Sequence, residues 1–428
     1  MAHRYIMNKA IKLVFSLICM VDKDPDMGLK YTGLVTVLCL QLQLPGPEAE
    51  SFGKTQPGND LSDMKPAMHQ MFYNLRDIYN LSLQEKKFTS ESLRPEIIKK
   101  FDRLQKHAAS IATHGSKEFT LKSTGQSLTK DIAQAHKFFN HKNYQESEFI
   151  IRNMVSNCFS CHTRFENKSS FPEPFIQKSL EKNLNMYELA RLKVATRQFS
   201  EAAKLFETLL NNDDFSYDEL ASEGVLSDYF RLMIRVFHNF DQPIEICKKQ
   251  LARKNLDPVS RDMLNKWLKD LNQFKSERYF SITPSLLQAK NVLDQVRIVE
   301  SEDILPAHSL ILLMTSSASL HQLILDKSIS AKQKSEAYFL LGTVENMMEN
   351  SFWLNESQHY WEASIRTLPH SEYAGKSFSV LKDKVSLGYT GSGGTRIPDE
   401  VAGWLTTLEK LSAPLKNHSK KPANTPRG

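Results

Sequence analysis

Cysteine is scarce in this chain, with five among 428 residues: Cys19, Cys39, Cys158, Cys161 and Cys247. A structural zinc site needs a second ligand pair at suitable spacing, and Cys247 stands alone downstream of the 158/161 pair, which argues against zinc. Charge of one sign is also lacking. Fifty-five Lys and Arg stand against 49 Asp and Glu, giving a net charge of +6. The basic residues are scattered instead of forming a patch, so nucleic-acid binding is not indicated. Apolar runs long enough to span a bilayer are missing too, because Val21, Asp22, Lys23, Asp24, Pro25 and Asp26 interrupt the N-terminal one. The glycine-rich stretch 388–395 has no Gly-Lys-Ser/Thr sequel and no preceding strand pattern. It reads as a flexible link before a last helix over 398–411, not as a phosphate loop.

What the chain does have is Cys158-Phe159-Ser160-Cys161-His162, a C-x-x-C-H motif. In this arrangement two thiols add to the two vinyl groups of a haem from one turn of helix, and the adjacent histidine becomes the proximal iron ligand. A C-x-x-C pair also serves as a redox disulfide, but a thioredoxin-like motif sits in a strand-to-helix turn. Here Tyr144, Ile150, Ile151, Met154 and Val155 describe one amphipathic helix running into the motif. The expectation is one covalent haem c. A second would need further attachment cysteines at its own motif.

Haem attachment of this type takes place outside the bacterial cytoplasm, and the N-terminus has the matching layout. From Met27 the chain runs through Lys30, an apolar stretch at 34–44, Pro45, Gly46, Pro47, and the small residues Ala49 and Ser51. Residues 1–51 are therefore read as a non-mature segment with a signal peptide, a true start at Met27, and a soluble periplasmic product. The basic end of the chain, from His418 on, reads as a solvated tail.

Four apolar-periodic stretches surround the motif. Met64, Met68, Met71, Leu75, Ile78 and Tyr79 share one helix face. A second stretch opens at Ser92 with Pro95 and Glu96 and stops at His114-Gly115. A third runs from Leu128 to Phe139 after a polar connection, and the fourth carries the motif near its end. With this motif placement and Arg164, Phe165 and Lys168 after the histidine, residues 61–168 resemble the cytochromes c prime and their low-spin relatives. The resemblance implies a four-helix bundle whose first helix faces the iron. It then supplies either a methionine ligand or an apolar residue that leaves the iron five-coordinate. Met68, mid-helix, is the first candidate, followed by Met71 and Met64; the same spacing also suits methionines that simply fill a core. His107, His114, His136 and His141 read as surface or satisfied polar groups.

After Phe171-Pro172-Glu173-Pro174 the character changes to haem-free helices. Leu189, Ala190, Ala202 and Phe206 fall on the packing positions of a tetratricopeptide-like helix pair. Ala337, Tyr338, Leu341, Gly342, Tyr360, Trp361, Ala363, Ile365 and Pro369 form a degenerate second one. Helices are expected at 229–247, 260–274, 286–296 and 304–325, with Cys247 a buried apolar residue.

The predicted class is all-α: a haem-carrying four-helix bundle over 52–170, an α-solenoid over 171–384, and a link, last helix and tail over 385–428. Three functions compete. Electron transfer through a His162–Met68 iron, with the array docking a redox partner protein, comes first. Diatomic-gas binding at a vacant distal position follows. Peroxidase-like catalysis is last, because Arg76 lies beyond the methionine stripe and no distal acid–base set is evident. Pairing of two bundles into a homodimer stays open.

Overall fold

A computed structural model describes residues 64–114, 119–164, 178–222, 224–301, 306–348 and 356–415. The segment read as a signal peptide, the Phe171–Pro174 linker and the tail lie outside them. The described chain is built almost wholly of helices. Two-residue strands at Thr390–Gly391 and Gly394–Thr395 are the only strands among the described residues, and they turn the expected flexible link into a short hairpin. Among the described residues, 391–406 belong to a unit separate from the larger one that holds the rest.

Its first helices are α1 (Met64–Ser82), the one-turn α2 (Glu85–Phe88), α3 (Arg94–His114), α4 (Phe119–Asn140) and α5 (Tyr144–His162). α1 packs on α3, α3 on α4, α4 on α5, and α5 back on α1. The short connections force successive directions to alternate. Arg94, opening α3, confirms this by donating to the carbonyls of Phe139 at 3.4 Å and Asn140 at 2.9 Å and to the Tyr144 hydroxyl at 3.3 Å. The end of α4 and the starts of α3 and α5 therefore share one end of the group. The last turn of α5, with Cys158, Cys161 and His162, falls at the opposite end, beside the first turns of α1.

α4 starts at Phe119, nine residues before the Leu128 expected from periodicity. Gly125, read as part of a polar connection, sits inside it. A Cβ there would stand 2.8 Å from the Ala112 backbone, so glycine permits the close approach of α3 and α4. Aromatic side chains Phe88, Phe101, Phe139 and Tyr144 fill the far end of this core. Ala108, Ile111, Leu128, Met154 and Cys158 are among the smaller or more flexible side chains that complete it.

The chain then continues through α6 (Lys178–Glu181), α7 (Met186–Ala195), α8 (Phe199–Asn211), α9 (Tyr217–Ser222), α10 (Val225–Arg235), α11 (Asp241–Leu251), α12 (Pro258–Ser276), α13 (Leu286–Ser301), α14 (Leu310–Leu325), α15 (Ala331–Met348), α16 (Glu356–Thr367) and α17 (Glu372–Gly388). Neighbours in sequence pack as neighbours in space for α7 with α8 and from α13 to α17. The stretch 229–247 divides into α10 and α11. His238 adopts a left-handed φ of 50°, and the Asn239 side chain accepts from the Asp241 amide at 2.8 Å, starting the second helix. Gly342 on α15 stands where a Cβ would come within 2.4 Å of the Trp361 indole on α16, a small-against-large packing of neighbouring helices. Cys247 is fully buried, as expected.

The two cores interlock at α5 and α7. Cys158 belongs to the first core with Leu192 and Ala195, while the next residue, Phe159, belongs to the second with Ala190 and Val194. α4 also packs against α16.

Candidate haem-binding site

The motif occupies the last turn of α5. Residues three and four apart share a helix face, so Cys158, Cys161 and His162 are grouped together. None of Cys158, Cys161 and Cys247 is in a disulfide. Cys158 is buried, and that burial, with Cys161 beside it, pushes its thiol up to about 12. Cys161 is half-buried.

His162 is buried and held by a group that the motif does not reveal. Its Nδ1 lies 2.8 Å from the carbonyl oxygen of Ala195, at the end of α7. A carbonyl only accepts, so Nδ1 carries the hydrogen and donates, which leaves the Nε2 lone pair as the ligating position of the neutral ring. Burial, aided by the Arg197 guanidinium, holds this imidazole down at about 3 against the opposing bond to Ala195, so the ring is neutral throughout the physiological range. The last carbonyls of any helix lack intrahelical partners, and that of Ala195 is offered to the histidine. A capping box starts α7: Asn185 accepts from the Glu188 amide at 2.8 Å and its own amide donates to Glu188 at 3.2 Å. Arg197, just past the end of α7, takes a left-handed φ of 58° and turns the chain into α8.

The methionine stripe of α1 lies at the same end as the motif. Met68 is half-buried and packed against the first core, whereas Met71 is 4% exposed within it; the side chain of Met64 lies outside the described residues. A half-buried carboxyl also sits here. Asp131 on α4 accepts from Asn157 Nδ2 at 2.7 Å, and burial raises it to about 6 despite that bond. Asn157 immediately precedes Cys158, but no local sequence signal pairs it with a residue 26 positions earlier.

Behind the motif, Arg164 reaches into the second core. Its guanidinium bonds Glu345 on α15 at 2.8 Å and approaches the Tyr360 hydroxyl on α16 at 3.5 Å. Glu345 also accepts from Arg235 on α10 at 3.0 Å and from Ser317 on α14 at 2.6 Å. Burial alone would raise this carboxyl; the two guanidiniums reverse that and hold it low. His321 on α14 bonds the Ser317 carbonyl at 2.7 Å through Nδ1 and the Tyr360 hydroxyl at 2.8 Å through Nε2. Arg191 on α7 adds a bond to Ser156 at 2.6 Å and stacks over Phe159. Of the remaining histidines, His136 lies flat against Phe101, and His141 is bonded to the Lys137 carbonyl at 2.7 Å.

The donor set fits a haem. Two thiols in no disulfide and a neutral imidazole with its Nδ1 anchored on a carbonyl occupy one helix face, and a carbonyl partner on the second ring nitrogen is the usual companion of a metal-ligating histidine. Haem iron takes four ligands from its ring, leaving one or two to the protein. Among the described residues, no three His, Cys, Asp or Glu side chains are placed to hold a metal ion by themselves. No helix among them is long and apolar enough to cross a membrane. No protein-family model, curated protein or solved structure matches this chain.

Proposed function

We propose that this chain is an exported, periplasmic c-type cytochrome with a single covalent haem. The four helices α1, α3, α4 and α5 act as its haem-binding bundle, and the helices from α7 onward form a tetratricopeptide-like array that docks a redox partner protein. One observation carries the reading: the C-x-x-C-H residues share the last turn of α5 while His162 Nδ1 donates to the Ala195 carbonyl, presenting Nε2 as a ligand. When bound, haem supplies one-electron exchange at its iron. Cys158 and Cys161 would hold the ring by thioethers, and His162 and Met68 would supply ligands to the iron. α7 keeps the imidazole in one tautomer and excludes water from its second nitrogen. On α1, Arg76 lies beyond the methionine stripe, which favours electron transfer over peroxide chemistry.

The test is co-expression with a c-type haem maturation system, followed by spectra of the oxidised, reduced, and reduced carbon monoxide-treated protein. Electron transfer requires haem that stays with the denatured polypeptide, a low-spin spectrum with a methionine-to-iron charge-transfer band, and little response to carbon monoxide. High-spin spectra with ready carbon monoxide binding would instead make the chain a gas-binding protein. Loss of haem on denaturation would remove the basis of both.

A further inference from the structure

Three residues beyond Cys161, the chain leaves α5 through a turn whose backbone is locally satisfied. Thr163 Oγ1 donates to the carbonyls of Phe159 at 3.0 Å and Ser160 at 3.1 Å, and the Arg164 amide donates to the Cys161 carbonyl at 3.2 Å. The Arg164 side chain, 7% exposed, then enters a buried cluster drawn from α10, α14, α15 and α16. Burying an Arg–Glu pair removes two charges from water, and apolar side chains of equal volume commonly stabilise a fold as well or better. Stability alone is therefore a poor reason for this cluster. What ions provide and apolar contacts do not is direction: Glu345 is fixed between Arg235 and Ser317 and accepts Arg164 in one place only.

We propose that Arg164 is a positioning residue of the haem site, through which Glu345 of the helical array fixes the turn bearing His162. The inference rests on the haem reading above. The turn is gripped at two points, His162 by the Ala195 carbonyl and Arg164 by Glu345, and both grips come from helices that follow the bundle. The array is thus half of the proximal site, and a partner that shifts α15 or α16 on docking acts on the iron ligand through Arg164.

Two measurements on Arg164→Met, Arg164→Lys and Tyr360→Phe test this. The first is amide hydrogen exchange over residues 158–164 in the full chain without haem. Arg164→Met should speed exchange there by about tenfold or more, with Tyr360→Phe smaller and Arg164→Lys partly restoring protection. The second is the reduction potential and low-spin fraction of the haem-loaded variants. Both should move with Arg164→Met and return partway with Arg164→Lys, while Leu264→Ala on α12, a destabilised control, should leave them in place. Wild-type exchange at 158–164 in Arg164→Met and Tyr360→Phe, or an unchanged potential, would overturn the proposal. If wild-type protein retains no covalent haem, the haem reading fails while the exchange result still decides whether Arg164 fixes the turn.

Discussion

His162 Nδ1 donates to the carbonyl of Ala195 across 2.8 Å, joining the last turn of one helix to the last turn of another 33 residues on. Neither end would be complete alone: a buried imidazole needs a partner for its N–H, and a helix C-terminus has carbonyls to spare. Much of the behaviour of the haem-free chain follows from such buried rings.

Acid should unfold the protein through them. His321 is buried, and burial together with Arg164 holds it at about 3, against 6.5 in an unfolded chain. The folded form is therefore neutral between those values while the unfolded form takes up a proton. The stabilisation is complete above pH 6.5 and is lost as pH falls toward 3. In that window His321→Gln should make stability less steep by about 1.4 kcal/mol per pH unit. Urea unfolding at several pH values measures the slope, and an unchanged slope would mean that His321 titrates normally in the fold.

Asp131 should act in the opposite direction. Its folded value near 6 lies above the unfolded 3.8, so the protonated carboxyl is the form the fold prefers. That contribution is present below 3.8 and lost as pH rises through 6. Asp131→Asn keeps an oxygen for Asn157 and removes the charge. It should raise stability at pH 7.5 by about 3 kcal/mol at most relative to wild type and have little effect at pH 4. Equal effects at the two pH values would contradict it.

The three described cysteines should differ in reactivity. Cys158 and Cys247 are buried with thiols pushed up to about 12, whereas Cys161 is half-buried. In native haem-free protein a maleimide should modify Cys161 well before the other two, and all three at similar rates in denaturant. Fragmentation mass spectrometry separates Cys158 from Cys161 on their shared peptide. Comparable native labelling of both would argue that the last turn of α5 is open.

How much of this the sequence showed depends on whether an interaction was local. The C-x-x-C-H residues and the helix beginning at Tyr144 were legible because one turn of periodicity contains them. The start of α4 was not: Gly125 looks like a helix breaker until Ala112, 13 residues earlier, is seen to need the space. The Ala195 carbonyl carries no side-chain signal. Glu345 and Arg164 are 181 residues apart, and only the fold brings them together.

Gly125→Ala and Gly342→Ala test the two close helix crossings. The first would press a methyl onto the Ala112 backbone, which cannot yield without moving α3, and the second onto the buried indole of Trp361. Overpacking of this kind costs about 1–3 kcal/mol. Thermal unfolding should show both losses. A neutral or stabilising Gly125→Ala would mean that α3 and α4 lie farther apart.

The methionines of α1 can be separated by what each loses. Met71 is 4% exposed among core side chains, so Met71→Ala leaves a cavity and should cost about 2–4 kcal/mol with or without haem. Met68 is half-buried, and Met68→Ala should cost the haem-free chain about 1 kcal/mol or less. In haem-loaded protein the order of effects should reverse. Met68→Ala should abolish the methionine-to-iron band and admit carbon monoxide, because the thioether and not the packing is lost, while Met71→Ala should leave both spectra unchanged. If Met71→Ala removes the band and Met68→Ala does not, the ligand lies one turn further along α1. If neither does, the iron is not held by these methionines, and gas binding becomes the stronger account of the site.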